Sequence, residues 1–297
     1  MATRVVITDA YSSLGQALLK GFEATHFSML VPKPESLDWC DLEAVREYLD
    51  DNAPEIIINT LGWAEFPSIE KQGVIVQVAE VLGVAARDFP CSVIHLSSFR
   101  VFGGENKSSY DEQDRPSPLS NSGRAFWSAE RSLVLELERV ICLRVGWLLD
   151  LHSDTVFKRV LDGLMAEEAL AVTESRTGAP LNMTSVAKVV VSLVQQILCG
   201  AENWGVIHYA SGDTCSVAEL AEVLAAHLRD DHGISKSEWL YYGDDEMLEV
   251  GIWSQEPVSG VLTMRRCRDD FGVQAKSWRQ GLGALVAQYL EESRFEI

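Results

Sequence analysis

No apolar run in this 297-residue chain approaches the ~18 residues of a membrane-spanning helix. Lys188, Gln195 and Gln196 interrupt even the stretch around residues 189–198, so no membrane role is expected. Basic residues are scarce: 25 Lys and Arg stand against 44 Asp and Glu, a formal charge of -19. That balance repels polyanions, and nucleic acid and anionic lipid are not expected partners. Cysteines are few and scattered. Cys40, Cys91, Cys142, Cys199, Cys215 and Cys267 show no CxxC spacing, which argues against zinc and against a disulfide framework. The six histidines (His26, His95, His152, His208, His227 and His232) form no metal spacing, so no metal is expected. Residues 1–5 lack a signal-peptide pattern and lead straight into a strand; with the cysteine usage, this sets the expectation of a cytoplasmic protein.

What is present is 47% hydrophobic residues in a recurring order, enough for a full core. Short β-branched runs alternate with amphipathic stretches over the first half, the pattern of a parallel sheet covered by helices. Strands are expected at 5–8, 28–31, 55–59, 92–96 and 140–145, with helices at 14–22, 41–49, 74–87 and 126–137. Right-handed crossovers wind such units into an α/β, Rossmann-like doubly wound sheet whose ligand crevice lies beyond the carboxyl ends of the strands. From about residue 151 the rhythm changes to longer helices, at 156–165, 186–198, 217–228 and 278–290, with an isolated strand at 206–209. The expected division is a Rossmann-like domain at 1–150 and a smaller C-terminal α/β lobe at 151–297, interleaved with the first. Residues 103–121 read as the clearest long loop.

The segment from Thr8 to Gly15 follows the first strand and opens the first helix, where a dinucleotide fold holds a pyrophosphate. Only Gly15 stands where a glycine-rich turn has three. From these residues alone, a ligand-free turn and a phosphate cradle carry about equal weight.

Further segments, in order, carry a resemblance. Leu37 and Asp38 follow the second strand, and Ile57, Ile58 and Asn59 end the third as a Val-Ile-Asn does. The run from His95 to Gly104 matches Ile-Ser-Thr-Asp-Tyr-Val-Phe-Asp-Gly, and that from Leu143 to Leu148 matches Arg-Thr-Ala-Trp-Leu-Tyr-Gly. Gly178, Ala179 and Pro180 resemble a Gly-Thr-Pro, the run from Gly205 to Tyr209 a Gly-Thr-Phe-His strand, and Pro257 an Arg-Pro. Together these resemble the extended short-chain dehydrogenase/reductases. The branch is that of dTDP-4-dehydrorhamnose reductase and the methionine adenosyltransferase β subunit.

The resemblance implies NAD(P)H-dependent reduction of a carbonyl. A tyrosine protonates the oxygen, a lysine four residues later lowers the tyrosine pKa, and a Ser or Thr after the fourth strand binds the carbonyl. Aligning residues 117–126 with the family's Asn-Pro-Gln-Ser-Ala-Tyr-Gly-Lys-Thr-Lys puts Ser122 at the tyrosine and Phe126 at the lysine. No Tyr-x-x-x-Lys exists anywhere in the chain. Ser98 keeps the third hydroxyl, but an aliphatic hydroxyl cannot replace a phenol, and a role capping the fourth strand fits it better. Tyr110, in a Tyr-x-Glu-like loop element, is a remote candidate for a replacement acid.

The implied cofactor positions are Asp9, Tyr11, Ser12, Ser13, Leu14, Gly15, Asp38, Leu61 and Gly62. Asp9 and Ser12 replace the first two turn glycines. At 4 Å and an effective dielectric of 20, an aspartate opposes a phosphate charge by about 4 kcal/mol before screening. A micromolar affinity is worth about 8 kcal/mol. NADP or NAD binding is therefore expected to be weakened and not required. Lys33 either meets a ribose phosphate or is a solvated lysine between two prolines; the second fits better. The stretch 59–97 is also about a turn shorter than in the reductases.

Trp147 falls where the family's tryptophan lines the sugar pocket, with a core aromatic as the equal alternative. Arg265, Arg266 and Arg268 either bind a diphosphate or pair with Asp269 and Asp270. The favoured expectation is a pseudoenzyme: a non-catalytic member of the reductase scaffold that binds a nucleotide or sugar nucleotide, or a protein partner or second copy. The alternative is an NAD(P)-dependent reductase of a nucleotide-linked 4-keto sugar using an unconventional acid. A third expectation is a crevice filled by the chain's own Phe126 and Tyr11.

Overall fold

A computed structural model describes residues 2–104, 107–166, 169–235, 239–241 and 257–293. Its centre is a six-stranded, all-parallel sheet formed by β1 (Arg4–Ile7), β2 (Ser28–Leu30), β3 (Ile56–Asn59), β4 (Ser92–Ser98), β5 (Val140–Val145) and β10 (Gly205–Tyr209). The order across the sheet is β10-β5-β4-β3-β1-β2. The chain reverses direction across the sheet between β1 and β3, which puts the ligand crevice of this topology at their carboxyl ends. Every residue of β3, β4 and β5 is buried, as expected of strands covered on both faces.

Helix α1 (Ser13–Phe22) packs against α6 (Met183–Leu198), close enough that a Cβ on Gly21 would lie 3.0 Å from the Ala187 Cβ. Helices α2 (Leu42–Asn52), α3 (Ile69–Ala86) and α4 (Asn121–Glu136) pack in succession, and right-handed crossovers place them on the opposite face from α1. Residues beyond 150 thus return to the sheet layer, through α6 and through β10 beside β5. The rest of the second half comprises α5 (Val156–Met165), α7 (Val217–His232), α8 (Arg265–Phe271), α9 (Leu282–Ser293) and short strand pairs. The pairs are β6 (Leu148–Leu149) with β9 (Leu181–Asn182), β7 (Leu170–Val172) with β12 (Trp239–Tyr241), and β8 (Thr177–Gly178) with β11 (Cys215–Ser216).

Helices α1 to α7 each begin on a polar cap: Ser12, Asp41, Ser68, Ser120, Thr155, Asn182 and Ser216. Each cap side chain accepts an amide of its first turn, satisfying a donor that the helix itself leaves open. These caps correct two expected starts. Helix α3 opens at Ile69 rather than 74 because Ser68 accepts the Lys71 amide, and α4 opens at Asn121 rather than 126 because Ser120 accepts the Gly123 amide. The last helix is also shifted: it runs Leu282–Ser293, and Trp278 is instead a buried anchor before it. Among the described residues, no helix is long and apolar enough to cross a membrane.

Candidate active site

At the end of β1 the chain turns from Thr8 to Ser12 without any non-glycine residue at positive φ. Ser12 sits at φ -69 and ψ 162, where any L-residue is comfortable, and its hydroxyl caps Gly15 N at 3.1 Å. Gly15 is the position that needs its glycine, because a Cβ there would overlap the Asp9 carbonyl oxygen and Ala10. The turn therefore keeps the close helix-to-strand approach of a dinucleotide fold and drops the glycines that let phosphate approach.

Asp9 is half-buried and folds back over this turn. Its Oδ1 accepts the Ser12 amide at 3.2 Å, one of the donors at the end of α1 where an anion would bind. A second carboxylate approaches from 137 residues away. The buried Asp150 accepts from the Ser13 hydroxyl at 2.5 Å and from the Ser153 hydroxyl, and its Oδ1 accepts the His152 amide at 3.1 Å. The positive end of α1 thus already faces two acids of the chain itself. At this end the Ser12 amide is taken by Asp9, and the two carboxylates make the local charge negative.

Tyr11 is 53% exposed and fills no crevice, which corrects that part of the third expectation. It lines a cavity of about 850 Å³ bordered by α1, the loop after β6, the start of α6 and α9, with Ser13, Lys20, Asp150 and His152. Leu14 is buried in the core. The half-buried Leu61 donates its amide to the Thr8 hydroxyl at 3.2 Å, and Gly62, at φ +73, makes the tight turn that brings Trp63 N to Thr60 O at 3.0 Å. Asp38 stands apart on an exposed loop, accepting the Cys40 amide. Lys33 is exposed.

The positions of the implied acid, cation and carbonyl-binding hydroxyl are all enclosed: Ser122 is 6%, Phe126 0% and Ser98 1% exposed. Ser122 hydrogen-bonds Ser120 Oγ at 3.0 Å, and Ser98 Oγ accepts the Arg100 amide at 3.3 Å. Among the described residues neither serine is hydrogen-bonded to a general base, and Phe126 supplies only hydrocarbon. The β3–α3 loop is tied down beside them. Glu65, 1% exposed, accepts the amides of Leu148 at 3.1 Å and Val156 at 3.2 Å. Phe66 carries the guanidinium of Arg159 at 3.5 Å and that of Arg100 at 4.3 Å from its ring centre. Trp63 Nε1 reaches the Ser97 carbonyl at 3.2 Å.

Beneath lies a polar network that the sequence reading missed. Glu130 on α4 receives Arg144 of β5 through two bonds of 2.8 and 2.6 Å and the Ser97 hydroxyl at 2.5 Å. Arg144 also approaches His208 Nε2 at 3.3 Å. Burial, helped by the Arg144 charge, pushes His208 down to about 3. On β4, His95 meets Asn59 at 3.1 Å, and burial pushes it down to about 4. The one signal available in sequence was the i, i+4 spacing of Phe126 and Glu130 on a helix face.

Trp147 is buried, and its indole lies so close to Gly178 that a Cβ there would overlap it. Arg266 pairs with Asp270 at 2.9 Å and caps the carbonyls of Trp204 and Val206, and Arg268 pairs with Asp269 at 2.8 Å. Arg265 lines a separate cavity of about 840 Å³ with Arg268, Asp111, Ser211 and Thr214. Tyr110 stacks on Phe102 at 4.3 Å with its hydroxyl buried. Among the described residues, no cluster of three or more His, Cys, Asp or Glu is placed to hold a metal ion.

Comparisons with known proteins agree with this architecture. The model of the RmlD substrate binding domain family matches residues 3–291. A dTDP-4-dehydrorhamnose reductase of Aggregatibacter actinomycetemcomitans is 23% identical over 292 residues, covering 94% of this chain and 97% of that protein. The methionine adenosyltransferase 2 subunit beta of Xenopus tropicalis is 25% identical over 305 residues, covering 93% and 90%. The crystal structure of a dTDP-4-dehydrorhamnose reductase from Bacillus anthracis in complex with NADP superposes with a TM-score of 0.77 at 19% identity, over 98% of this chain and 100% of that one. The shared β-α order, the Gly15 approach and a family match along nearly its whole length place the chain in the RmlD substrate-binding-domain family.

Proposed function

We propose that this chain is a non-catalytic member of the dTDP-4-dehydrorhamnose reductase-like family, a regulatory protein that binds a nucleotide, a sugar nucleotide or a protein partner. The observation that carries the reading is the Asp9 carboxylate on the Ser12 amide, at the place where a dinucleotide fold seats its pyrophosphate. The burial of Ser98, Ser122 and Phe126 supports it from the side of the chemistry, since no phenol and ammonium pair meets a substrate there. NADP or NAD is not required on this reading. The cavity beside Arg265 supports a nucleotide-type ligand, because its volume suits one. A relative that is by name a subunit supports the partner-binding role.

The test is NADPH oxidation with dTDP-4-dehydrorhamnose in a pure preparation, where the rate should equal that of a protein-free control. The second reading, an active reductase with an unconventional acid, is favoured by relatives that are reductases by name across 94% of the chain. Steady NADPH-dependent turnover that Ser122→Ala leaves unchanged would establish that second reading and overturn the first.

A further inference from the structure

A cavity of about 230 Å³ opens between the start of α6 and the segment before α9. Lys188 and Lys276 stand at it, both exposed, and among the described residues neither makes an ion pair. None of the described residues lining it is acidic, in a chain with 44 Asp and Glu. The first turn of α6 also holds no acid, and the Asn182 cap takes only the Thr184 amide, at 2.8 Å. Its remaining first-turn amides add the positive end of a 16-residue helix to the two ammonium groups.

The remaining lining supplies neutral donors on a fixed frame. Ser185, Ser277 and Tyr209 bring hydroxyls. Tyr209 and Ser185 are hydrogen-bonded to each other, and burial pushes the Tyr209 phenol up to about 12. Residues 276–278 are laced to the loop after β10: Lys276 O accepts Gly212 N at 3.2 Å and Ser211 Oγ at 2.9 Å, and Trp278 N donates to Ser211 Oγ at 3.1 Å. Two cations and a helix end thus border one small space. Compact ammonium groups suit a phosphate held as a point charge.

We propose that this cavity is a binding site for a phosphate group, either free phosphate or a small phosphate monoester, held by Lys188, Lys276 and the α6 amides. Neither Asp9 nor Ser12 lines it, so the proposal stands apart from the question of the dinucleotide.

The test is calorimetry of the full chain with inorganic phosphate and with glycerol phosphate, each against sodium chloride at equal ionic strength. Saturable heat with phosphate is expected, and Lys188→Gln and Lys276→Gln should each weaken it by about tenfold, the value of one charge-assisted bond. Lys276→Arg should keep binding, and Lys20→Gln, at the neighbouring cavity, should leave it unchanged. Binding of both ligands identifies a monoester site; binding of inorganic phosphate alone identifies a site for the free ion. Heats equal to the chloride control, or phosphate binding that persists in the double Lys→Gln variant, would overturn the assignment.

Discussion

A carboxylate at position 9 does two things to the first turn: it occupies the Ser12 amide, and it sets a negative charge against the end of α1. Ser12 completes the change by capping the helix from an ordinary backbone conformation. Gly15 has the opposite character, since it is fixed by contact rather than by ligand. Gly15→Ala forces a Cβ into the Asp9 carbonyl, and urea unfolding should show a loss of about 1–3 kcal/mol, the range for overpacking. The two buried histidines give a pH signature. Both are held down from an ordinary 6.5, His95 to about 4 and His208 to about 3, so the unfolded chain takes up protons where the native one does not. Their contribution is full above about pH 6.5. It is lost progressively as pH falls from about 6.5 to the two native values, and His95→Gln should flatten the slope of stability against pH in that window.

Among the elements, α4, β4, β5 and β10 are joined by the chain Ser97, Glu130, Arg144 and His208. Taking away one member of a buried pair leaves the other charge uncompensated, so Glu130→Ala should cost about 3–5 kcal/mol. Exposed Lys158→Ala, which breaks a surface pair with Asp162, should cost under about 1 kcal/mol by the same chemical denaturation. The strand positions were legible because β-branched runs such as Ile56, Ile57 and Ile58 alternate with helical spacing. The starts of α3 and α4 were not, because Ser68 and Ser120 cap their helices several residues before the apolar periodicity begins. For the arginines of α8 the sequence leaves a diphosphate ligand and pairing with neighbouring acids equally open, whereas tertiary register makes Arg266 a structural clamp on the chain before and within β10. Partners brought in by tertiary register, Asp150 at the turn and Arg144 on Glu130, leave no local mark in a sequence.

At the scale of the molecule, the formal charge of -19 disfavours anionic ligands in general, and two carboxylates at the α1 end concentrate that effect at the crevice. Lys188 and Lys276, at a cavity with no acid among its described lining residues, mark a place where the same surface turns basic. The scaffold was readable from residue order along nearly the whole chain, and the missing tyrosine and lysine were readable from spacing alone. How the β3–α3 loop is anchored was not, since Glu65 and Phe66 act on segments 83 or more residues away in the one case and on stacked guanidiniums in the other. The most direct measurement is calorimetric titration of the full chain with NADPH into the millimolar range, beside Asp9→Asn. The wild type should give no saturable heat, and Asp9→Asn, which removes the charge and keeps the acceptor, should bind at least about tenfold more tightly. Micromolar NADPH binding by the wild type, unaltered in Asp9→Asn, would contradict the account.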